Sequence, residues 1–166
     1  MSNNKLNQIL QKQQKQMTDP DAKEADEVIQ LVGFIVGDEE YAIPILNIQE
    51  IIKPIEYTRV PSVPDYVLGV FNLRGNVIPL IDLRKKFNLD FSKQNEETRY
   101  IVMKGENNVA GFVIDRLTEA IRIKNSRIDP PPETLHKDKG MIYGIGKRDD
   151  NILTILKVEA LLKRDF

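Results

Sequence analysis

Cysteine is missing altogether from these 166 residues, so disulfide stapling, thiolate nucleophiles and thiolate metal ligation are all excluded. The chain has no tryptophan, and a single histidine, His136, leaves no basis for a multi-histidine metal cluster. A Ser-His-Asp arrangement would have to use that imidazole, which stands in a polar stretch and reads as an exposed surface residue. None of Ser2, Ser62, Ser92 and Ser126 sits in a Gly-x-Ser-x-Gly elbow. No apolar run approaches the roughly 20 residues that cross a bilayer. The N-terminus also lacks an apolar signal core, so a cytoplasmic protein without direct membrane insertion is expected. Neither sign of charge dominates: Lys and Arg total 24, Asp and Glu 25, and the net charge is −1. That balance weighs against a dedicated nucleic-acid binder.

What remains is rich in β-branched side chains. Apolar residues make up 41% of the chain, and 32 of the residues are Ile or Val. Such residues favour strands, which predicts a β-rich protein. Residues 1–27 stand apart, Gln-rich and then mixed in charge around Asp19-Pro20-Asp21. They bury too little to offset their ordering entropy and are expected to form a mobile tail, although Leu6, Ile9 and Leu10 can share one helical face.

From Val28 onward, strands are predicted over 29–36, 41–45, 77–83, 99–104, 109–115, 117–123, 142–146 and 152–156, with turns at 37–40, 105–108 and 147–151. The segment 46–52 supports two patterns. Ile45, Ile48, Ile51 and Ile52 have helical spacing, whereas Ile48, Glu50 and Ile52 would share one face of a strand. Short helices are predicted at 64–70, 82–87 and 158–163. Pro79 predicts an edge or a bulge for part of its strand. Several strands, 29–36 and 77–83 among them, are apolar on both faces. A single sheet with one wet side cannot accommodate that. An all-β fold is therefore expected, with eight to ten short strands in two small packed barrels rather than one long sandwich.

Little in the chain resembles reaction chemistry. Asp82 and Asp115 end apolar strands, and the simplest reading has each meeting solvent or backbone donors. Asp38, Glu39 and Glu40 form a solvated turn without calcium-loop spacing. Residues 140–146 carry glycines but no phosphate-binding fingerprint. The basic groups Arg84-Lys85-Lys86 and Arg122, Lys124 and Arg127 are not interleaved with aromatics, as a single-strand nucleic-acid surface would be. The segment that stands out is Asn72-Leu73-Arg74-Gly75, a guanidinium between two apolar runs, beside a glycine that lets backbone approach closely. Glu50 is its best candidate partner. A loop arginine held to local carbonyls is the competing reading.

The chain from Ile29 to Leu162 resembles the CheW-like family of bacterial chemotaxis coupling proteins. The resemblance is carried by Phe34-Ile35-Val36-Gly37-Asp38-Glu39-Glu40-Tyr41, Ile48-Gln49-Glu50-Ile51, Gly69-Val70-Phe71-Asn72-Leu73-Arg74-Gly75 and Asp82-Leu83-Arg84. Gly111-Phe112-Val113-Ile114-Asp115 and Gly144-Ile145-Gly146 add to it. It implies two SH3-like small β-barrels with a shared apolar core and short helices over 28–166, and no catalysis, metal or cofactor. It also implies an adaptor that joins the cytoplasmic tip of a chemoreceptor to the regulatory domain of the histidine kinase CheA, recruited to membrane-associated receptor arrays. Ile48 and Glu50 would lie in a partner-contacting strand. Arg74 matches a functionally sensitive loop arginine, positioned by Asn72, Leu73 and Gly75. Val109, Gly111 and Val113 would contribute to a receptor groove. The alternative is a small β-barrel module that binds single-stranded nucleic acid.

Overall fold

The structure is a computed structural model and describes residues 27–132 and 140–164. His136 and residues 1–26 of the expected tail lie outside the described residues. Eleven strands, two short α-helices and two single-turn 3-10 helices, Ile45–Asn47 and Asn125–Arg127, are present among them. The first half of the chain holds β1 (Val28–Val36), β2 (Glu39–Pro44), β3 (Ile48–Ile52), β4 (Val67–Leu73), β5 (Asn76–Asp82) and α1 (Leu83–Lys86). The second half holds β6 (Arg99–Lys104), β7 (Val109–Ile114), β8 (Arg116–Lys124), β9 (Ile128–Asp129), β10 (Ile142–Arg148), β11 (Asn151–Leu156) and α2 (Val158–Leu162).

The strands form two sheets. The first has the order β8-β1-β2-β11-β10-β9 and the second the order β3-β6-β7-β5-β4. Double-faced strands explain the arrangement. Along β1, Leu31 joins an apolar cluster with Ala42, Ile121, Ile123, Leu153 and Ile155 of the first sheet. Phe34 and Val36 instead enter a larger cluster with Ile81, Ile101, Met103, Phe112 and Ile114 of the second sheet. In β6, Tyr100 and Val102 face a third cluster with Phe71, Ile78 and Leu80, while Ile101 and Met103 turn to the shared one. Each sheet thus has an apolar interior of its own, and a third core joins the two. Val158, Leu161 and Leu162 of α2 close that shared core.

Three local expectations change. No helix forms over 64–70: a single turn, in which Val67 N donates to Pro64 O, leads directly into β4. The alternating burial of Val67, Gly69 and Phe71 has period two, and that pattern overrides the helix-start signal of Pro64. Second, Ile48 and Glu50 do not share a face. The register of β3 on β6 shifts between them, pairing Ile48 with Met103 but Glu50 with Val102. The bulge turns Ile48 and Ile51 towards the shared core, and Ile52 packs on the second sheet's own cluster. Third, the described residues contain one strand more than the upper expected count, and both β4 and the two-residue β9 fall outside the expected strands.

Pro79 lies where its missing donor does no harm. Its partner Val70 spends both backbone groups on Thr58, so the Val70–Pro79 pair is a non-hydrogen-bonded one. The proline nitrogen therefore faces the β7 side, where parallel pairing begins only at Leu80.

Candidate functional site

The β4–β5 hairpin closes through two residues, Arg74 and Gly75, with φ of 52° and 88°. Positive φ at both central positions is the geometry of a type I′ turn, whose twist matches that of the flanking strands. Glycine adopts it freely, whereas for arginine it costs on the order of 1 kcal/mol. The turn is held by Asn72, whose Oδ1 accepts from Gly75 N at 2.9 Å. Leu73 packs against the second sheet's apolar cluster. Asn72, Leu73 and Gly75 thus fix where Arg74 starts, through one hydrogen bond, one apolar anchor and one permissive backbone.

Arg74 reaches Glu50 in a two-pronged contact, with Nε donating to Oε2 at 3.2 Å and Nη2 to Oε1 at 2.7 Å. The guanidinium side chain is 74% exposed and the carboxylate side chain 26%. Such a pair adds little stability, because water competes for both charges, but its fork geometry fixes direction. The Arg74 hydrogen bonds hold the Glu50 carboxyl below the usual glutamate range, and the same bonds raise the guanidinium. The competing reading, an arginine bound only to local carbonyls, does not hold.

Glu50 lies on the edge strand β3, whereas Arg74 leaves the opposite edge strand β4. Their side chains thus span from one edge strand of the second sheet to the other. The connector after β3 makes the same junction, where Thr58 and Val70 exchange backbone hydrogen bonds of 2.8 Å. Gly69 is required there, since a Cβ on it would stand 2.1 Å from Thr58 O.

The other expected site residues are placed less uniformly. Val109 is half-buried beside the same cluster as Leu73. Gly111 and Val113 are buried, and a Cβ on Gly111 would meet the Phe71 ring at 2.7 Å. Ile48 packs half-buried against the shared core, on the opposite face from Glu50. Glu50, Asn72, Leu73, Arg74 and Gly75 therefore gather into one surface, whereas Gly111 and Val113 are buried further along the sheet, paired with Leu80 and Asp82 at the end of β5 away from the Arg74 turn.

Exposed apolar residues near these elements were not legible in the sequence. Leu46 is 86% exposed in the turn that precedes β3, and Val77, just past Gly75, is 67% exposed. An apolar groove of about 440 Å³ opens between the first sheet and α2, lined by Ile29, Pro44, Ile128, Tyr143, Ile155 and Val158 among others. These residues come from six elements and carry no common sequence signature.

The two carboxylates at strand exits behave as structural groups. Asp82 caps α1, its Oδ1 accepting from Arg84 N at 3.0 Å, and burial pushes its carboxyl upward. Asp115 accepts from Gly37 N at 2.9 Å and receives a two-pronged contact from Arg84. Among the described residues, no group of three His, Cys, Asp or Glu side chains is placed to hold a metal ion. Nor is any helix among them long and apolar enough to cross a membrane.

Comparison with known proteins accords with this architecture. The family model of the CheW-like domain matches residues 30–166. The chemotaxis protein CheW of Helicobacter pylori is 58% identical over 163 residues, covering 98% of this chain and 99% of the relative. The CheW of Bacillus subtilis is 36% identical over 136 residues, covering 81% of this chain and 87% of its own length. The crystal structure of the scaffolding protein TtCheW from Thermoanaerobacter tengcongensis superposes with a TM-score of 0.78 at 31% identity. That match covers 84% of this chain and 95% of the other. The Helicobacter alignment extends across nearly the whole chain, so most of the segment ahead of residue 30 has a counterpart there. On these grounds the chain belongs to the CheW-like domain family of non-catalytic chemotaxis adaptors.

Proposed function

We propose that this chain couples chemoreceptors to the histidine kinase CheA by offering them separate faces of one body. The observation that carries this reading is the Glu50–Arg74 pair, a directional charged feature exposed on a stiff two-residue turn. That surface takes the regulatory domain of the kinase. Leu46 and Val77 supply exposed apolar area on the neighbouring elements. The cytoplasmic tip of the receptor is helical in this reading, and the apolar groove beside α2 suits one face of a helix. Val109, Gly111 and Val113 do not line that groove; in this reading Val109, half-buried, adds to the receptor-binding area, and the buried Gly111 and Val113 act only through the packing of the second sheet. Each sheet is read as an SH3-like barrel. For the second, support comes from the two contacts that join its edge strands. Recruitment to receptor arrays at the membrane follows from receptor binding.

Titration against an isolated kinase regulatory domain and a receptor-tip fragment tests the proposal. Saturable binding to both at moderate salt is expected. Arg74→Ala should weaken kinase-domain binding by about tenfold, as loss of an interface arginine anchor does. It should also lower receptor-dependent kinase activation. Unchanged binding and activation in a folded Arg74→Ala protein would falsify the site assignment.

A further inference from the structure

The chain passes from the second sheet to the first through a single residue. β7 ends at Ile114, β8 begins at Arg116, and Asp115 alone lies between them. Its backbone N–H donates to Ile35 O at 3.0 Å, on β1 of the first sheet. Its carboxylate accepts from Gly37 N, at the β1–β2 turn of that same sheet, at 2.9 Å. Arg84 holds the carboxylate from the second-sheet side: Nε donates to Oδ1 at 2.9 Å and Nη2 to Oδ2 at 2.6 Å. Arg84 sits on α1, directly after β5, and β5 pairs with β7 at Asp82 and Val113. The remaining arm, Nη1, donates to Asp90 O at 2.9 Å. Both side chains are partly shielded, at 20% and 26% exposure.

All three arms of the guanidinium are thus committed, and one carboxylate binds the β1–β2 turn of the first sheet and the helix that follows β5 of the second. The shared apolar core holds the sheets together, but apolar attraction is non-directional. A fork-to-fork Arg–carboxylate contact specifies an angle as well as a distance. We propose that Arg84 and Asp115 are positioning residues that set the angle between the two sheets, and with it the relative placement of the two docking faces. The functional half of this inference rests on the coupling role proposed above; the geometric half does not.

The absence of cysteine makes a direct test simple, since labels go only where they are introduced. Lys104 in β6 and Arg122 in β8 are exposed and lie on different sheets. The full chain carrying K104C and R122C, spin-labelled, should show one narrow distance distribution by pulsed electron paramagnetic resonance. Arg84→Ala should shift and widen it. Arg84→Lys keeps the charge but loses the fork, so it should widen the distribution while melting close to the parent chain. Asp115→Asn keeps an acceptor for Gly37 N and should fall between the two. If Arg84→Lys and Arg84→Ala both fold and both keep the parent distribution, the positioning role is overturned. The coupling consequence is read separately. Arg84→Lys should bind kinase domain and receptor tip singly as the parent does, yet lose receptor-dependent activation. Retained activation despite a widened distribution overturns the functional half. A parent chain that bound neither partner would instead overturn the coupling proposal, and the distance measurement would still decide the junction.

Discussion

At the scale of single residues, the Glu50–Arg74 contact is the feature most open to measurement. Arg74 lowers the Glu50 carboxyl from its ordinary value, so the folded chain favours the ionised form. The sign follows from linkage. Any stability the pair adds is present above the unfolded glutamate value, near 4.3, and is lost as pH falls through the lower folded value. A carboxyl-detected NMR titration should therefore place the Glu50 midpoint below the ordinary glutamate value in the parent chain. In Arg74→Ala it should return upward, and an unmoved midpoint would contradict the contact. A double-mutant cycle of Arg74→Ala and Glu50→Ala on kinase-domain binding should be non-additive, since removing either partner strands the other. The sequence pointed to both residues, because an arginine beside a glycine and a glutamate leaving an apolar strand are local features. Arg84 went unremarked as a partner of Asp115 because 31 positions separate them and neither neighbourhood implies the other.

Secondary-structure elements show where period and context compete. Pro64 near its start and Gly69 near its end marked 64–70 as a helix, yet the chain there needs Gly69 for a different purpose, to let Thr58 O pass. Gly69→Ala should push against that carbonyl, break the Thr58–Val70 bridge and cost about 1–3 kcal/mol, the usual range for overpacking. Chemical denaturation measures this, and a loss below a few tenths of a kcal/mol would mean that the connector gives way. Strand β3 carries a related lesson. Ile48, Glu50 and Ile52 alternate as strand residues should, and one bulge between Ile48 and Glu50 moved Ile48 to the opposite face. Bulges arise from cross-strand pairing, which a single segment does not encode. By contrast, the strand spans 99–104 and 109–114 were read almost to the residue, because apolar runs and a polar turn bounded both ends.

Across the whole molecule, the shared core couples the fate of the two sheets. Ile101 is fully buried among residues from both, so Ile101→Asp places a charge without a partner at the centre of the protein. It should cost 3 kcal/mol or more, roughly the range for buried unpaired charges, and lower a single cooperative thermal transition rather than one of two. Two separate transitions in the parent chain would show that the sheets fold independently. The amino-acid order was sufficient for the strand-rich class and for the need to bury strands on both faces, and it singled out the Arg74 loop and Glu50 as candidates. Each of these rests on composition, period-two patterning or turn chemistry, which act over a few residues. Strand order, the bulge in β3, the apolar groove beside α2 and the Asp115 junction came only with the folded chain. Those features join segments tens of positions apart, and which segments meet is settled by how three apolar clusters share the same strands.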